Sequence, residues 1–255
     1  MQVTPSAAPI VGARPTAIGR PERIEERLIV ALDVPTVAEA RQVVEMLDGV
    51  VGFFKIGLQL QFAHGGLAYA EELVADGKRV FLDSKFHDIA ETVRRAVESV
   101  VAMGVHFLTV HGSTETIRAA AEARADSGLK IFSVTVLTNL DTDDLREMGY
   151  TVPVADLVRY RAEQAMAAGV DGVIASGQEA GNIREMAGDR LLIVTPGIRS
   201  QGEPRHDQRR VVTPTVAVEA GADYLVVGRP ILKPERGLPK DAAIRILEEM
   251  DKARR

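Results

Sequence analysis

Short apolar runs alternate with longer helix-like segments along most of this sequence, and no other feature constrains the fold as strongly. The runs are rich in Val, Ile, Leu and Phe with little polar alternation, which is typical of strands covered by helices on both faces. Eight such runs occur, at residues 27–33, 51–57, 79–85, 105–111, 130–138, 171–176, 191–197 and 223–228. Eight βα units in about 230 residues predict an α/β fold, the single-domain (β/α)8 TIM barrel.

The intervening segments have helical spacing, and most of them end in glycine, the residue expected just after a helix. They lie at residues 37–49, 66–77, 91–104, 115–128, 156–169, 179–188, 214–221 and 241–255. A doubly wound open sheet is the alternative arrangement of such units. That fold normally has a glycine-rich turn after its first strand, whereas this chain continues from Asp33 with Val34-Pro35-Thr36.

The N-terminal segment differs from the rest of the chain. Residues 1–22 carry four prolines and many small residues, without the long apolar core of a secretory signal. We therefore predict a loosely ordered tail over residues 1–25 and a barrel domain over residues 26–255.

Composition and charge exclude several classes of function. The net charge is −5 and the pI about 5.6, which argues against binding nucleic acid or an anionic membrane through bulk charge. No apolar run approaches the roughly 18 residues needed to span a bilayer. The chain has no cysteine, which excludes disulfides and thiolate chemistry and predicts a cytoplasmic location.

A barrel of this kind places its active site at the carboxyl ends of the strands. Acids and lysines alternate there, at Asp33, Lys55, Asp83 and Lys85, followed by Asp88. Alternate residues of a strand share one face, so Asp83 and Lys85 are expected to point into the barrel mouth together. Ordinary salt bridges at the rim could explain any one of these residues. Their convergence on one ring favours a catalytic site.

The last two strands carry a different pattern. The segments VTPGIRSQG (194–202) and VVGRPI (226–231) each place glycine and arginine after a strand, and Pro230 is suited to open a short helix. Phosphate sites of this fold lie after strands seven and eight. We therefore interpret Arg199, Gly228 and Arg229 as a phosphate site, although these residues could simply shape two turns.

No metal site or cofactor is predicted. The five histidines, at positions 64, 87, 106, 111 and 206, lack metal-ligand spacing such as HExxH, and the acids are matched with lysines. His87 and His111 are expected to make structural hydrogen bonds.

Several motifs together identify a family resemblance. FLDSKFHDI (81–89) and TPGIR (195–199) are the most specific, supported by ALDVP (31–35), KIG (55–57), VTVLT (134–138) and VVGRPI. In order and position, from about Leu28 to the C-terminus, they resemble orotidine 5′-phosphate decarboxylases of the bacterial type. One departure is Ala90-Glu91-Thr92, where family members usually have Pro-Asn-Thr.

The resemblance implies a cofactor-free decarboxylation of orotidine 5′-phosphate to uridine 5′-phosphate and CO2, the last step of de novo UMP biosynthesis. Lys85 would stabilise and protonate a carbanion at C6, Asp83 would lie near the departing carboxylate, and Lys55 would orient Asp83 and the ribose. The remaining substrate contacts would come from Asp33, Thr92, Thr138, Arg199, Gln208, Gly228 and Arg229, with Gln201 as a weaker candidate. The resemblance also implies a homodimer in which Asp88 and Thr92 reach into the neighbour's site.

Two other functions stay open on the sequence. Relatives that decarboxylate 3-keto-gulonate 6-phosphate, or condense formaldehyde with ribulose phosphate, share the DxKxxD strand but use Mg²⁺. A barrel that binds a nucleotide without converting it is the second alternative. The carboxylates of Asp83 and Asp88 argue against it, because a binder of an anion gains nothing from them.

Overall fold

The chain folds into a closed barrel of eight parallel strands, as predicted. The computed structural model describes residues 19–204 and 208–253. In strand order the barrel is β1 to β8, and each strand pairs with the next, with β8 closing on β1. The strands are β1 (Leu28–Ala31), β2 (Phe53–Ile56), β3 (Arg79–Phe86), β4 (Phe107–Val110), β5 (Lys130–Val134), β6 (Gly172–Ile174), β7 (Leu192–Thr195) and β8 (Tyr224–Val227).

Helices connect successive strands and cover the outside of the barrel. They are α1 (Val37–Met46), α2 (Leu58–Gln61), α3 (Gly66–Ala75), α4 (Ala90–Ala102), α5 (Thr114–Ala123), α6 (Thr142–Glu147), α7 (Val154–Ala168), α8 (Gly177–Ala187), α9 (Pro214–Glu219), α10 (Arg229–Leu232) and α11 (Pro239–Lys252). The eight longer helical segments read from the sequence are confirmed. Two short helices, α2 and α6, were not predicted.

The fifth strand is shorter than the sequence predicted. The apolar run over residues 130–138 suggested one strand, but β5 ends at Val134. Its neighbour β6 has three residues, and the paired register ends at Val134 and Ile174. Residues 135–138 therefore leave the sheet and carry Thr138 to the barrel mouth.

The core has two layers that follow the alternation of side chains along each strand. Inward-facing residues form a cluster inside the barrel that includes Phe53, Phe81, Phe107 and Phe132. Neighbouring rings meet edge-on or tilted, as for Phe107 and Phe132 at 4.5 Å between centroids. Outward-facing residues such as Leu82 and Leu108 pack against the helices. The filled interior supports the site at the mouth above it.

A buried carboxylate joins the strands at the amino end of the barrel. Asp223 is 2% exposed and accepts hydrogen bonds from the Ile193 backbone at 2.7 Å and from Arg184 Nη2 at 2.6 Å. Arg20 approaches its other oxygen at 2.9 Å. The charge of Asp223 is thus balanced by two arginines at the base of β7 and β8.

Asp223→Ala should destabilise the fold strongly, because it removes the buried carboxylate that pairs with Arg184 and Arg20 and that accepts from the Ile193 amide. Loss of one partner of a buried ion pair costs about 3–5 kcal/mol. The free energy of unfolding in urea measures this effect. Asp189→Ala is the matched control, because Asp189 pairs with Arg20 at 2.5 Å from an exposed position, where removal of an ion pair costs about 1 kcal/mol or less. Equal losses for the two variants would contradict this account.

The predicted tail lies largely outside the described part of the chain, which starts at residue 19. A short 3₁₀ helix, Ile24–Arg27, leads into β1. Arg27 donates to the carbonyl oxygens of Ala222 and Asp223 at 2.6 and 2.8 Å. The division between tail and barrel at residue 26 stays a prediction. In the described part of the chain, none of the helices is both long and apolar enough to cross a membrane.

Candidate active site

A cavity of about 240 Å³ opens at the carboxyl ends of the strands, where the sequence predicted the site. Ala31, Phe81 and Val226 from the barrel interior lie among its apolar lining. Nine of the predicted site residues line it: Asp33, Lys55, Asp83, Lys85, Thr138, Arg199, Gln208, Gly228 and Arg229. The structure therefore brings the charged ring and the proposed phosphate residues into one space.

The acids and lysines form a chain of alternating charge across this cavity. Lys55 Nζ lies 3.1 Å from Asp33 Oδ1 and 3.5 Å from Asp83 Oδ2. Lys85 Nζ lies 2.9 Å from Asp83 Oδ1. The side chains of Lys55 and Asp83 are largely buried, whereas Lys85 is 32% exposed and faces the cavity. Asp83 thus lies between the two lysines, and the Lys85 ammonium faces the cavity.

The pairing keeps Lys55 and Asp83 charged despite their burial. Burial disfavours the carboxylate of Asp83, but Lys55, Lys85 and the hydrogen bonds to it together hold its pKa below the usual value. Burial likewise disfavours the ammonium of Lys55, and Asp83 and Asp33 more than compensate, so its pKa is raised. Asp83 therefore stays ionised even when the pH falls to about 3.9, the ordinary pKa of an aspartate. Lys55 stays protonated even when the pH rises to the ordinary pKa of a lysine.

Lys85 adopts a backbone conformation that the sequence did not predict. Its φ is +51°, in the left-handed region that residues other than glycine rarely occupy. Its backbone N–H donates to Thr109 Oγ1 at 2.9 Å, and the same hydroxyl donates to Asp83 Oδ1 at 2.8 Å. Thr109 was missed at the sequence level, because a threonine in the run FLTV resembles any strand threonine.

Gly57 is a second residue that sequence reasoning missed as functional. A Cβ at this position would lie 2.7 Å from Lys55 Nζ and 3.0 Å from Asp33 Oδ1. Such contacts are too close, so a side chain here would displace the Lys55–Asp33 pair. The absence of a side chain at residue 57 leaves room for that pair.

The proposed phosphate residues lie on the side of the cavity formed after β7 and β8. Arg199 is 8% exposed, and its guanidinium donates to the carbonyl oxygens of Ile198 at 2.6 Å and Pro204 at 3.1 Å. Gln208 Oε1 accepts a hydrogen bond from Thr138 Oγ1. Gly228 directly precedes α10, which Pro230 opens as the sequence predicted. The loops after β5, β7 and β8 therefore meet around one polar pocket.

A buried ion pair fastens the loop after β7 to the body of the barrel. Arg210 Nη1 lies 2.8 Å from Glu179 Oε1 in α8, and its Nη2 donates to the carbonyl oxygens of Val136 and Leu137 at 2.9 Å. The Arg210 amide donates to Thr138 O at 3.1 Å. Arg210 thus holds Gln208 next to Thr138. At the sequence level, the only indication of this role of Arg210 was the pair of arginines in the segment QRR (208–210).

Three candidates lie away from the cavity lining. Asp88 and Thr92 are exposed, on the loop after β3 and in the first turn of α4. Among the described residues, Lys85 has an ion pair with Asp83 but none with Asp88. Gln201 is exposed in a turn. The departure Ala90-Glu91 is accommodated in the first turn of α4, where Glu91 pairs with Arg94 and Arg95.

Of the two histidines expected to make structural hydrogen bonds, His111 makes one, whereas His87 makes none among the described residues. His111 Nδ1 donates to the Val134 carbonyl oxygen at 3.2 Å, and its ring meets His87 edge-on at 5.3 Å. Burial and the charge of Arg161 lower the pKa of His111. His206 lies outside the described residues.

Comparison with known proteins identifies the family. Residues 26–246 match the family described as orotidine 5′-phosphate decarboxylase / HUMPS. The chain belongs to this family. The sequence-based prediction of the family is therefore confirmed.

Individual relatives agree with the family match. The chain is 53% identical over 230 residues to the orotidine 5′-phosphate decarboxylase of Afipia carboxidovorans, covering 90% of this chain and 97% of that protein. It is 52% identical over 229 residues to that of Rhodopseudomonas palustris strain HaA2, with coverages of 90% and 96%. The crystal structure of the Lactobacillus acidophilus enzyme superposes with a TM-score of 0.77 at 34% identity, covering 89% of this chain and 99% of the other.

Proposed function

We propose that this chain decarboxylates orotidine 5′-phosphate in the cavity at the barrel mouth, with Lys85 as the proton donor. The reaction yields uridine 5′-phosphate and CO2 and is the last step of de novo UMP biosynthesis. The observation that carries the proposal is the Asp33–Lys55–Asp83–Lys85 chain, which ends in an ammonium that faces the cavity.

The chemistry at C6 accounts for this choice of residues. Breaking the bond from C6 to the carboxylate leaves an electron pair on a carbon where the ring delocalises it poorly. An ammonium at that point stabilises the developing charge and then transfers a proton to C6, which forms the C–H bond of uridylate. Lys85 supplies the ammonium, and Asp83 holds it at 2.9 Å.

Asp83 would also lie near the substrate carboxylate. Two unit charges about 4 Å apart repel each other by roughly 4 kcal/mol at an effective dielectric constant of 20. Enzymes at the upper end of rate acceleration lower barriers by roughly 20 kcal/mol. Repulsion alone is therefore insufficient, and the preorganised charge of Lys85 at the carbanion has to contribute the larger part.

The remote phosphate provides binding energy that holds C6 against Lys85. Arg199, Gln208, Gly228 and Arg229 would bind the phosphate, since guanidinium groups make charge-assisted, bidentate contacts with phosphate oxygens. Asp33 would accept a hydrogen bond from a ribose hydroxyl, and Thr138 would lie near the base. Two of these four residues, Arg199 and Gln208, lie in the loop after Thr195, and the other two follow β8.

Arg229→Ala should weaken binding of orotidine 5′-phosphate by about 10- to 100-fold, the value of one hydrogen bond to a charged group. The effect should appear chiefly in KM, and the phosphate-free nucleoside orotidine should be converted as slowly by the variant as by the wild type. Arg236→Ala is the control, because Arg236 is exposed and outside the cavity lining. Equal losses on the nucleotide and the nucleoside would contradict the phosphate assignment.

The proposal includes a homodimer with shared sites. Asp88 and Thr92 are exposed on one side of the mouth, and Ile89 between them is 71% exposed. Leu137 and Met148, which follow β5, are also exposed apolar residues. A partner barrel placed mouth to mouth would cover these side chains and receive Asp88 and Thr92 in its own site. The proposed location is the cytoplasm, consistent with a chain without cysteine.

The family description also names HUMPS, but the relatives reported above are orotidine 5′-phosphate decarboxylases, which favours orotidylate over the sugar-phosphate alternatives. In the described residues, no group of three or more His, Asp or Glu side chains is arranged to hold a metal ion. The test of the proposed reaction is product analysis with orotidine 5′-phosphate and with 3-keto-gulonate 6-phosphate. Equimolar uridylate and CO2 from the first substrate support the proposal. Turnover of the second alone, or tight uridylate binding without any turnover, would refute it.

A further inference from the structure

We propose that Thr109 is a positioning residue that holds Asp83 and Lys85 in their reactive arrangement. This inference rests on the roles proposed above for those two residues. Thr109 lies in β4, between the outward-facing Leu108 and Val110, and points into the barrel below the mouth. It does not line the cavity, so it acts through its neighbours rather than on the substrate.

The register between β3 and β4 explains why one side chain contacts both residues. Phe81 pairs with Phe107 and Leu82 with Leu108, and the next pair is Phe86 with Val110. Between these pairs β3 has three residues, 83 to 85, and β4 has one, Thr109. The irregularity takes residues 83–85 out of the regular backbone ladder, and the threonine side chain fills the position of the missing partner.

The hydroxyl of Thr109 makes two hydrogen bonds whose directions are fixed by chemistry. It accepts from the Lys85 backbone N–H at 2.9 Å, because an amide can only donate. Its own proton goes to Asp83 Oδ1 at 2.8 Å, because a carboxylate can only accept. Lys85 Nζ donates to the same oxygen, so the three residues form a closed loop of contacts. Thr109 is fully buried, which shields these bonds from water.

The bond to the Lys85 amide stabilises a strained backbone. A left-handed conformation is unfavourable for a non-glycine residue and persists where its surroundings enforce it. The conformation at φ +51° sets the direction in which the Lys85 side chain leaves the strand. Loss of the hydroxyl would remove the acceptor of the Lys85 amide and one of the donors to the Asp83 carboxylate. We therefore expect the chemical step to suffer, while substrate binding at the phosphate is largely retained.

Thr195 provides a contrast within the same barrel. It is fully buried in β7, on the outward face next to the inward Val194, and its hydroxyl has no hydrogen-bond partner in the described residues. Thr195→Val replaces the hydroxyl with a methyl group of similar size and breaks no hydrogen bond among the described residues. Thr195→Val is therefore the matched control for Thr109→Val.

The experiment compares Thr109→Val, Thr109→Ser and Thr195→Val in the full-length enzyme, with orotidine 5′-phosphate as the substrate. Thr109→Val should lower kcat by about 10- to 100-fold, the value of a hydrogen bond to a charged group, with little change in KM. Thr109→Ser, which keeps the hydroxyl, should restore kcat towards the wild-type value. In Thr109→Val the acid limb of the kcat profile should move to higher pH, because Asp83 then retains Lys55 and Lys85 but loses a donor. Thr195→Val should keep the wild-type kcat.

Wild-type kcat in Thr109→Val, equal losses in the Val and Ser variants, or a change confined to KM would overturn the proposal. Melting temperatures check that each variant is folded. If the valine variant does not fold, Thr109→Ala is compared with Thr109→Ser, and equal activity of that pair also overturns it. Lys85→Ala separates this inference from the proposed function. If that variant is inactive while Thr109→Val is fully active, the positioning role alone fails, whereas an active Lys85→Ala refutes the underlying roles.

Discussion

Lys85→Ala is expected to abolish turnover of orotidine 5′-phosphate while the barrel stays folded. The substitution removes both the charge that stabilises the carbanion and the proton that replaces CO2. General acid catalysis contributes about 10²–10⁴-fold, and preorganised electrostatic stabilisation about 10²–10³-fold. We therefore expect kcat to fall by about 10⁴-fold or more. Steady-state assays at saturating substrate measure this loss.

The fold should tolerate this substitution because of where Lys85 lies. Its side chain is partly exposed at the mouth, and Asp83 keeps its contacts with Lys55 and Thr109. Lys78→Ala is the matched control: Lys78 precedes the same strand at the opposite end of the barrel and pairs with Asp48. An unchanged melting temperature and retained uridylate binding establish that Lys85→Ala is folded. Turnover close to wild type would contradict the role of Lys85.

Mixing two inactive variants, Lys85→Ala and Asp88→Ala, is expected to restore activity. In a mixed dimer with shared sites, one site contains both substitutions and the other contains neither. Random exchange of subunits places half of the protein in mixed dimers, so about a quarter of all sites should be intact. The measurement is the specific activity after subunit exchange, relative to each variant alone.

A second pair of variants controls for this result. Asp83 and Lys85 line the same cavity in one chain, so mixing Asp83→Ala with Lys85→Ala leaves every site with one defect. That mixture should stay inactive. If heterodimers form and the Lys85→Ala and Asp88→Ala mixture also stays inactive, Asp88 acts within its own chain and the shared-site proposal is wrong.

The barrel could be predicted from the sequence because the pattern of burial is local. Strands covered on both faces leave apolar runs such as RLIVA and FFKI, and the residues between them have helical spacing. The end of β5 could not be predicted, because residues 135–138 are β-branched or aliphatic and β6, three residues long, ends the pairing at Ile174. Short helices such as α6 depend on local capping by Asp141.

The sequence predicted those residues of the candidate site that lie at strand ends, but not those that depend on the exact register between strands. Residues at strand ends, such as Asp83 and Arg229, converge in any barrel and so could be placed from the pattern alone. Thr109 and the left-handed Lys85 depend on the irregular register between β3 and β4, which no sequence signal revealed. Among the described residues, Asp88 has no ion pair with Lys85, and the proposed shared site would bring it there from a second chain.

We propose that Lys85 drives a metal-free decarboxylation of orotidine 5′-phosphate at the mouth of this barrel. The most direct measurement follows the ultraviolet absorbance of orotidine 5′-phosphate after addition of the purified protein in the presence of EDTA, with Lys85→Ala run alongside. We expect a rapid loss of orotidylate absorbance with the wild-type protein and none with the variant. No loss with folded wild-type protein, or activity that depends on added Mg²⁺, would contradict it.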